Sequence, residues 1–162
     1  MDNEENTIEI LKKDYNSILN KYDLPSFENL NKDFCIEKIS ETETEYLVRE
    51  IRKIITDKFA NYLRFVETFL HPANAPMFVL SIIKLITTDE KNKLIDIYGK
   101  LAKSEMKIVE LDLEFFEEKE AEFIKNSYRL WQEIKKDLLV FVRNIEINWD
   151  AKPEVNGKNY FG

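Results

Sequence analysis

Glycine and proline are scarce: there are three and four of them among 162 residues. Average usage would supply roughly nineteen of the two together. Gly99 is the single glycine before position 157, and no proline separates Pro76 from Pro153. Tight turns draw on these residues, so hairpin-rich sandwiches and barrels are disfavoured. Gly-rich phosphate loops and dinucleotide fingerprints are excluded. One histidine, His71, and one cysteine, Cys35, exclude a Cys/His zinc site, a haem motif and a disulfide within the chain. Long apolar runs are also missing. The longest, Met77 to Ile86, is broken by Ser81 and Lys84, and ten helical residues span ~15 Å, half of a bilayer's hydrocarbon. No membrane partner is expected. The acidic opening Met-Asp-Asn-Glu-Glu-Asn lacks the basic flank and apolar core of a signal peptide, and a lone cysteine suits a reducing compartment. The expected location is the cytoplasm.

What is present is a foldable mixture, 44% apolar and 34% charged, at a length suited to one domain. Its apolar residues recur at helical spacing. Ile8, Leu11, Tyr15, Ile18 and Tyr22 step by three and four, predicting an amphipathic helix over 7–22. Pro25 stops it, and Ser26 is placed to cap a short helix carrying Phe27, Leu30 and Phe34. Residues 34–39 read as a packed connector in which Cys35 is a small buried hydrophobe. Ser40-x-x-Glu43 and Thr42-x-x-Glu45 are capping-box candidates for a long helix over 43–70. Its stripe is Val48, Ile51, Ile55, Phe59, Tyr62, Val66 and Phe69.

Asn74 reads as the N-cap of a short helix, 75–86, that is apolar nearly all round and therefore buried. Thr87-x-x-Glu90 opens a further helix with Ile95, Tyr98, Ala102, Met106, Val109, Leu113 and Phe116 in phase. Gly99 within it suggests close helix packing. From Asp89 to Asp150 no breaker appears, yet one helix of that length would run ~93 Å. Acids at 117–122 followed by Lys125, Arg129, Lys135, Lys136 and Arg143 match the dipole of a helix starting near 117. A break at 116–118 is therefore preferred to one at 103–105. The last helix would bury Trp131 as its main anchor and leave Trp149 exposed.

The net charge of −7 is concentrated. Residues 105–122 carry eight acids against Lys107 and Lys119, leaving −1 for all the rest. Such a balance argues against nucleic-acid backbones as partners. A basic strip of Arg49, Arg52, Lys53 and Arg64 is the one feature favouring them, and Glu45 is spaced to pair with Arg49. On a continuous helix Glu110, Glu114 and Glu117 share a face, as do Glu114, Glu118 and Glu122. These are the candidate ligands for a divalent cation or a carboxylate-based reaction; the alternative is a solvated helix face.

The expectation is an all-α, single-domain helical bundle over 1–150. It comprises three long helices, one short buried helix and an N-terminal amphipathic helix over 1–22, with a connector over 23–41. Residues 151–162 form a flexible tail. No catalytic residue and no cofactor is assigned. The leading functional expectation is a non-enzymatic interaction or adaptor protein with a protein partner or self-association. Its contact candidates are Ile8, Leu11, Tyr15, Trp149, Tyr160 and Phe161. A carboxylate-metal bundle is the first alternative and a nucleic-acid-associated factor the second.

Overall fold

The computed structural model describes residues 2–42 and 44–150. They form helices α1 (Asp2–Tyr22), α2 (Phe27–Phe34), α3 (Leu47–Leu70), α4 (Met77–Ile83), α5 (Thr88–Leu113) and α6 (Glu117–Asp150). Short 3-10 helices at Ile36–Glu41 and Pro72–Asn74 join α2 to α3 and α3 to α4. No strand occurs among the described residues, and the all-α class holds. No described helix is long and apolar enough to cross a membrane.

Local chemistry sets most helix ends. Ser26 accepts the Asn29 N–H at 3.2 Å and caps α2. Thr87 and Glu90 form a complete capping box at the start of α5, satisfying two otherwise orphaned N–H groups. His71 ends α3, its N–H bonded to the Glu67 carbonyl, and Pro72 bars continuation. With glycine so rare, two non-glycine residues among those described take left-handed turns: Asp23 after α1 and Cys35 after α2, at φ 52° and 55°.

Helices α3, α5 and α6 build the bundle. Arg52 meets Asp112 and His71 meets Tyr98, so α3 and α5 run antiparallel. Arg49 meets Glu120 and Phe69 meets Phe141, so α3 and α6 run parallel. Between them lies the core of Ile51, Ile55, Phe59, Ile97, Leu101, Ile124, Trp131 and Ile134. Trp131 fills the expected central place, ringed by Phe34, Phe59 and Tyr62 at centroid distances of 5.0–6.3 Å. Helix α1 is clasped to this core through fully buried Tyr15, whose hydroxyl donates to the Pro25 carbonyl at 2.5 Å.

Several expectations are corrected. Helix α3 begins at Leu47, not near 43, and Tyr46 is its N-cap without a side-chain bond. Ser40 is absorbed in the 3-10 helix and Thr42 ends it, so neither opens α3. Asn74 closes the 3-10 turn Pro72–Asn74, and α4 starts after Pro76, whose carbonyl receives the Val79 N–H. This helix is not buried all round. Val79 and Ile82, three apart, face the bundle, while Met77, Phe78 and Leu80 are exposed. A seven-residue helix laid on the bundle can bury only one side. Cys35 is exposed, because the left-handed turn projects its side chain outward between buried Phe34 and Ile36.

The largest correction concerns α5. Its buried row is Leu94, Ile97, Leu101, Ile108 and Leu111, and the expected row containing Ile95, Met106, Val109 and Leu113 is exposed. The helix carries two apolar rows about one residue out of phase, and both satisfy the same periodicity. Gly99 does not mark a close helix contact, since among the described residues no atom lies within 4 Å of a Cβ built there. The break between the last two long helices falls at 114–116, as the charge pattern implied.

Cys35 supplies a stability test. A left-handed non-glycine residue costs roughly 1–2 kcal/mol, and the Cys35 thiol is exposed. Cys35→Gly is expected to raise unfolding free energy by about 1 kcal/mol in urea titration. An unchanged or lowered midpoint would contradict that strain.

Candidate functional site

The break at 114–116 separates the acids that a continuous helix would align. Glu110 pairs with Lys107 at 2.7 Å and Glu114 with Lys119 at 2.5 Å. Glu122 accepts from Asn126 at 3.1 Å, and Glu118 is exposed. Glu117 turns toward α1, taking the Tyr22 hydroxyl at 2.5 Å and the Lys21 ammonium at 3.2 Å. The Tyr22 hydrogen bond holds the Glu117 carboxyl below the usual range, with Lys21 in support against partial burial. The two expected carboxylate faces therefore do not form, because the helix breaks between Glu114 and Glu117 and the acids turn to different partners. Among the described residues no three His, Cys, Asp or Glu side chains gather as a metal site.

One acid of this segment leaves the surface altogether. Glu120 is 1% exposed; it accepts a hydrogen bond from Arg49 Nε at 3.2 Å and lies at ion-pair distance, 3.4 Å, from Arg52 Nε. Arg52 is itself buried and reaches Asp112 at 2.8 Å. The Arg49 guanidinium lies over the rings of Phe115 at 4.3 Å and Tyr46 at 5.3 Å. The start of α3 thus grips the end of α5, the link and the first turn of α6 together. Arg49 and Arg52 turn inward, so they do not form the outer basic strip, and Lys53 pairs with Glu50. Arg52 falls within the Val48, Ile51, Ile55 stripe, which was the available sign of its burial.

A second polar cluster had no advance notice. Asp33 of α2 is buried and receives Lys135 at 2.5 Å and Gln132 at 2.7 Å. Lys58 donates to the Asp33 carbonyl and lies over the Trp131 ring at 4.4 Å. Burial lowers the affinity of Lys58 for its proton. A cavity of about 360 Å³ opens beside this group, with Lys32 and Tyr62 in its walls. Burial alone would raise the Asp33 carboxyl; the hydrogen bonds from Lys135 and Gln132 outweigh it and hold it below the usual range.

Two further cavities carry exposed apolar side chains. A cavity of about 620 Å³ lies between α5 and α6, with Met106, Phe123 and Leu130 in its wall. Of its lysines, Lys100, Lys107 and Lys119 are held by acids of the chain. Another, of about 470 Å³, is formed by Phe78 and Ile82 of α4 with Ile145, Glu146 and Trp149 of α6. Trp149 is exposed, as expected. Of the other contact candidates, Leu11 and Tyr15 are buried in the chain's own core and present no free surface, because their side of α1 packs onto the bundle. Ile8 is half-buried. Tyr160 and Phe161, with the tail 151–162, lie outside the described residues. No family model, curated protein or solved structure matches the chain.

Both polar clusters yield tests. Removing one member of a buried ion pair typically costs about 3–5 kcal/mol, because the abandoned charge stays desolvated. Glu120→Ala should lower unfolding free energy by that order, while Glu118→Ala changes it by less than about 0.5 kcal/mol. Equal small effects in urea titration would remove Glu120 from its anchoring role. Asp33 predicts acid sensitivity. Its folded-state pKa lies below the unfolded value of ~3.9, so its contribution is complete above that value and is lost as pH falls through the folded-state pKa. Asp33→Asn should flatten the acid limb of the stability profile between about pH 5 and 2. An acid limb of wild-type steepness would count against the pair with Lys135.

Proposed function

We propose that the chain is a non-enzymatic helical interaction protein of the cytoplasm. It holds a helix of another protein on the apolar end formed by α4 and the last turns of α6. The observation that carries this reading is the composition of α4. A short helix covering a bundle end needs apolar residues only on its inner side, and Val79 and Ile82 meet that need. Its outer side nevertheless consists of Met77, Phe78 and Leu80, with Met77 79% exposed. Trp149 extends the apolar surface onto α6 across the cavity it shares with Phe78. Contiguous surface of this kind marks partner sites on soluble domains.

The chemistry of the cavity supports one kind of partner segment. Phe78, Ile82, Ile145 and Trp149 give apolar walls and Glu146 contributes a carboxylate. That combination suits an amphipathic helix whose apolar side chains enter the cavity beside a basic residue. The exposed thiol of Cys35 fits a reducing cytoplasm. The engagement of Arg49 and Arg52 with Glu120 and Asp112 takes the guanidiniums away from any phosphate backbone.

A photoreactive residue at Phe78, in the full chain expressed in its native cells, tests the reading. The expected outcome is one dominant heterologous cross-link, lost on Trp149→Ala, with helicity unchanged. Labelling at Phe78 no stronger than at exposed Lys38 would reject the α4 surface as a partner site.

A further inference from the structure

We infer that the cavity bounded by α2, α3 and α6 binds a small aromatic acid, its carboxylate held by Lys58 and Lys32 and its ring against the apolar wall of Tyr62, Leu139 and Val142. The cavity is separate from the α4 surface. Its volume of about 360 Å³ lies at the small end of the roughly 300–1,000 Å³ of small-molecule sites. A ligand of a ring or two has room there, whereas a helix of ~10 Å diameter does not.

Charge in the wall selects an anion. The chain as a whole is acidic, at −7, yet this cavity sets Lys32, Lys58 and Lys135 against Asp33 alone. Asp33 is already occupied, because its two oxygens take Lys135 and Gln132. Lys58 donates to the Asp33 backbone carbonyl, a neutral acceptor, and its ammonium lies 4.4 Å from the centre of the Trp131 ring. No carboxylate among the described residues comes within ion-pair distance of Lys58 or Lys32. Burial disfavours the charge on Lys58, and an anion beside it offsets that cost.

A third donor points the same way independently. The Trp131 indole is 4% exposed and stands in the same wall. The Asp33 carboxylate feels its N–H. With both carboxylate oxygens taken, however, that N–H has no acceptor in hydrogen-bond geometry among the described residues. Buried donors without an acceptor are rare in folded proteins. Ammonium and indole groups can only donate, so the group that completes them is rich in acceptors, as a carboxylate is. The rest of the wall asks for a flat apolar body. Tyr62 and Trp131 lie 5.0 Å apart between ring centroids, and Leu139 and Val142 stand exposed beside them.

Calorimetric titration of the full chain with naphthoate tests the proposal, beside acetate, which lacks the rings, and naphthylmethanol, which lacks the charge. Expected is saturable binding with a dissociation constant of about 0.1 mM, and both controls at least about tenfold weaker. Lys58→Met and Lys32→Met should each weaken naphthoate by about fivefold or more, and Val142→Trp should abolish binding by filling the cavity. Lys32 and Val142 are exposed, so these two variants decide the matter even where Lys58→Met disturbs folding. In a Trp149→Phe background Trp131 is the one tryptophan left. Its indole N–H resonance should move downfield with naphthoate and saturate at the calorimetric dissociation constant. No saturable binding up to about 5 mM, equal affinity for either control, indifference to Lys32→Met, or a stationary indole resonance would each overturn the proposal. Loss of the Phe78 cross-link would leave it untouched.

Discussion

The bend between α5 and α6 depends on a buried charge. Residues 100–152 contain neither glycine nor proline, yet the chain reverses direction at 114–116, and no special backbone conformation makes it do so: among the described residues the non-glycine left-handed positions are Asp23 and Cys35. What fixes the reversal is the start of α3, where Arg52 and Arg49 converge on Glu120 while Arg52 holds Asp112. One arginine side chain thereby touches both helices of the hairpin across the break. Exchanging a buried ion pair for apolar side chains often leaves stability level or higher, so its value here lies in placement. An apolar contact would tolerate sliding of one helix along another, whereas guanidinium and carboxylate satisfy each other in few geometries.

That constraint reinterprets the acidic segment. Read as a continuous helix, residues 105–122 present two faces of carboxylates. Once broken, five of its acids, Glu110, Asp112, Glu114, Glu117 and Glu120, serve as counter-ions to cations drawn from four places. Lys107 lies on α5 itself, Lys119 at the start of α6, Lys21 on α1, and Arg49 with Arg52 on α3. Concentrated charge in the sequence thus becomes dispersed charge in the fold. Glu120 is the member for which dispersion means burial, and it is held by two guanidiniums rather than one.

Most of the architecture was legible because periodicity and caps act locally. The stripe from Val48 to Phe69, the Ser26 cap, the Thr87–Glu90 box and the break near 117 all follow from interactions within a few residues. What was not legible depends on neighbours. Helix α5 has two apolar rows, and only the positions of α3 and α6 decide which is inner. Leu, Ile and nothing else populate the buried row, whereas the exposed one runs beside Gly99 and includes Ala102. A row offering little side chain at its centre is poor core, and that was the overlooked sign. Asp33 was hidden for a similar reason. Its burial follows from Lys135 and Gln132, about a hundred residues away. The exposure of α4 likewise reflects how little of a seven-residue helix a bundle end can cover.

Glycine, the rarest structural resource in this chain, is also absent where backbone geometry would favour it. Both left-handed helix ends are taken by residues that a left-handed conformation strains. Gly99 meanwhile has no positive φ and stands in mid-helix, where alanine would serve the isolated chain better. A sequence shaped only by stability would reverse these placements.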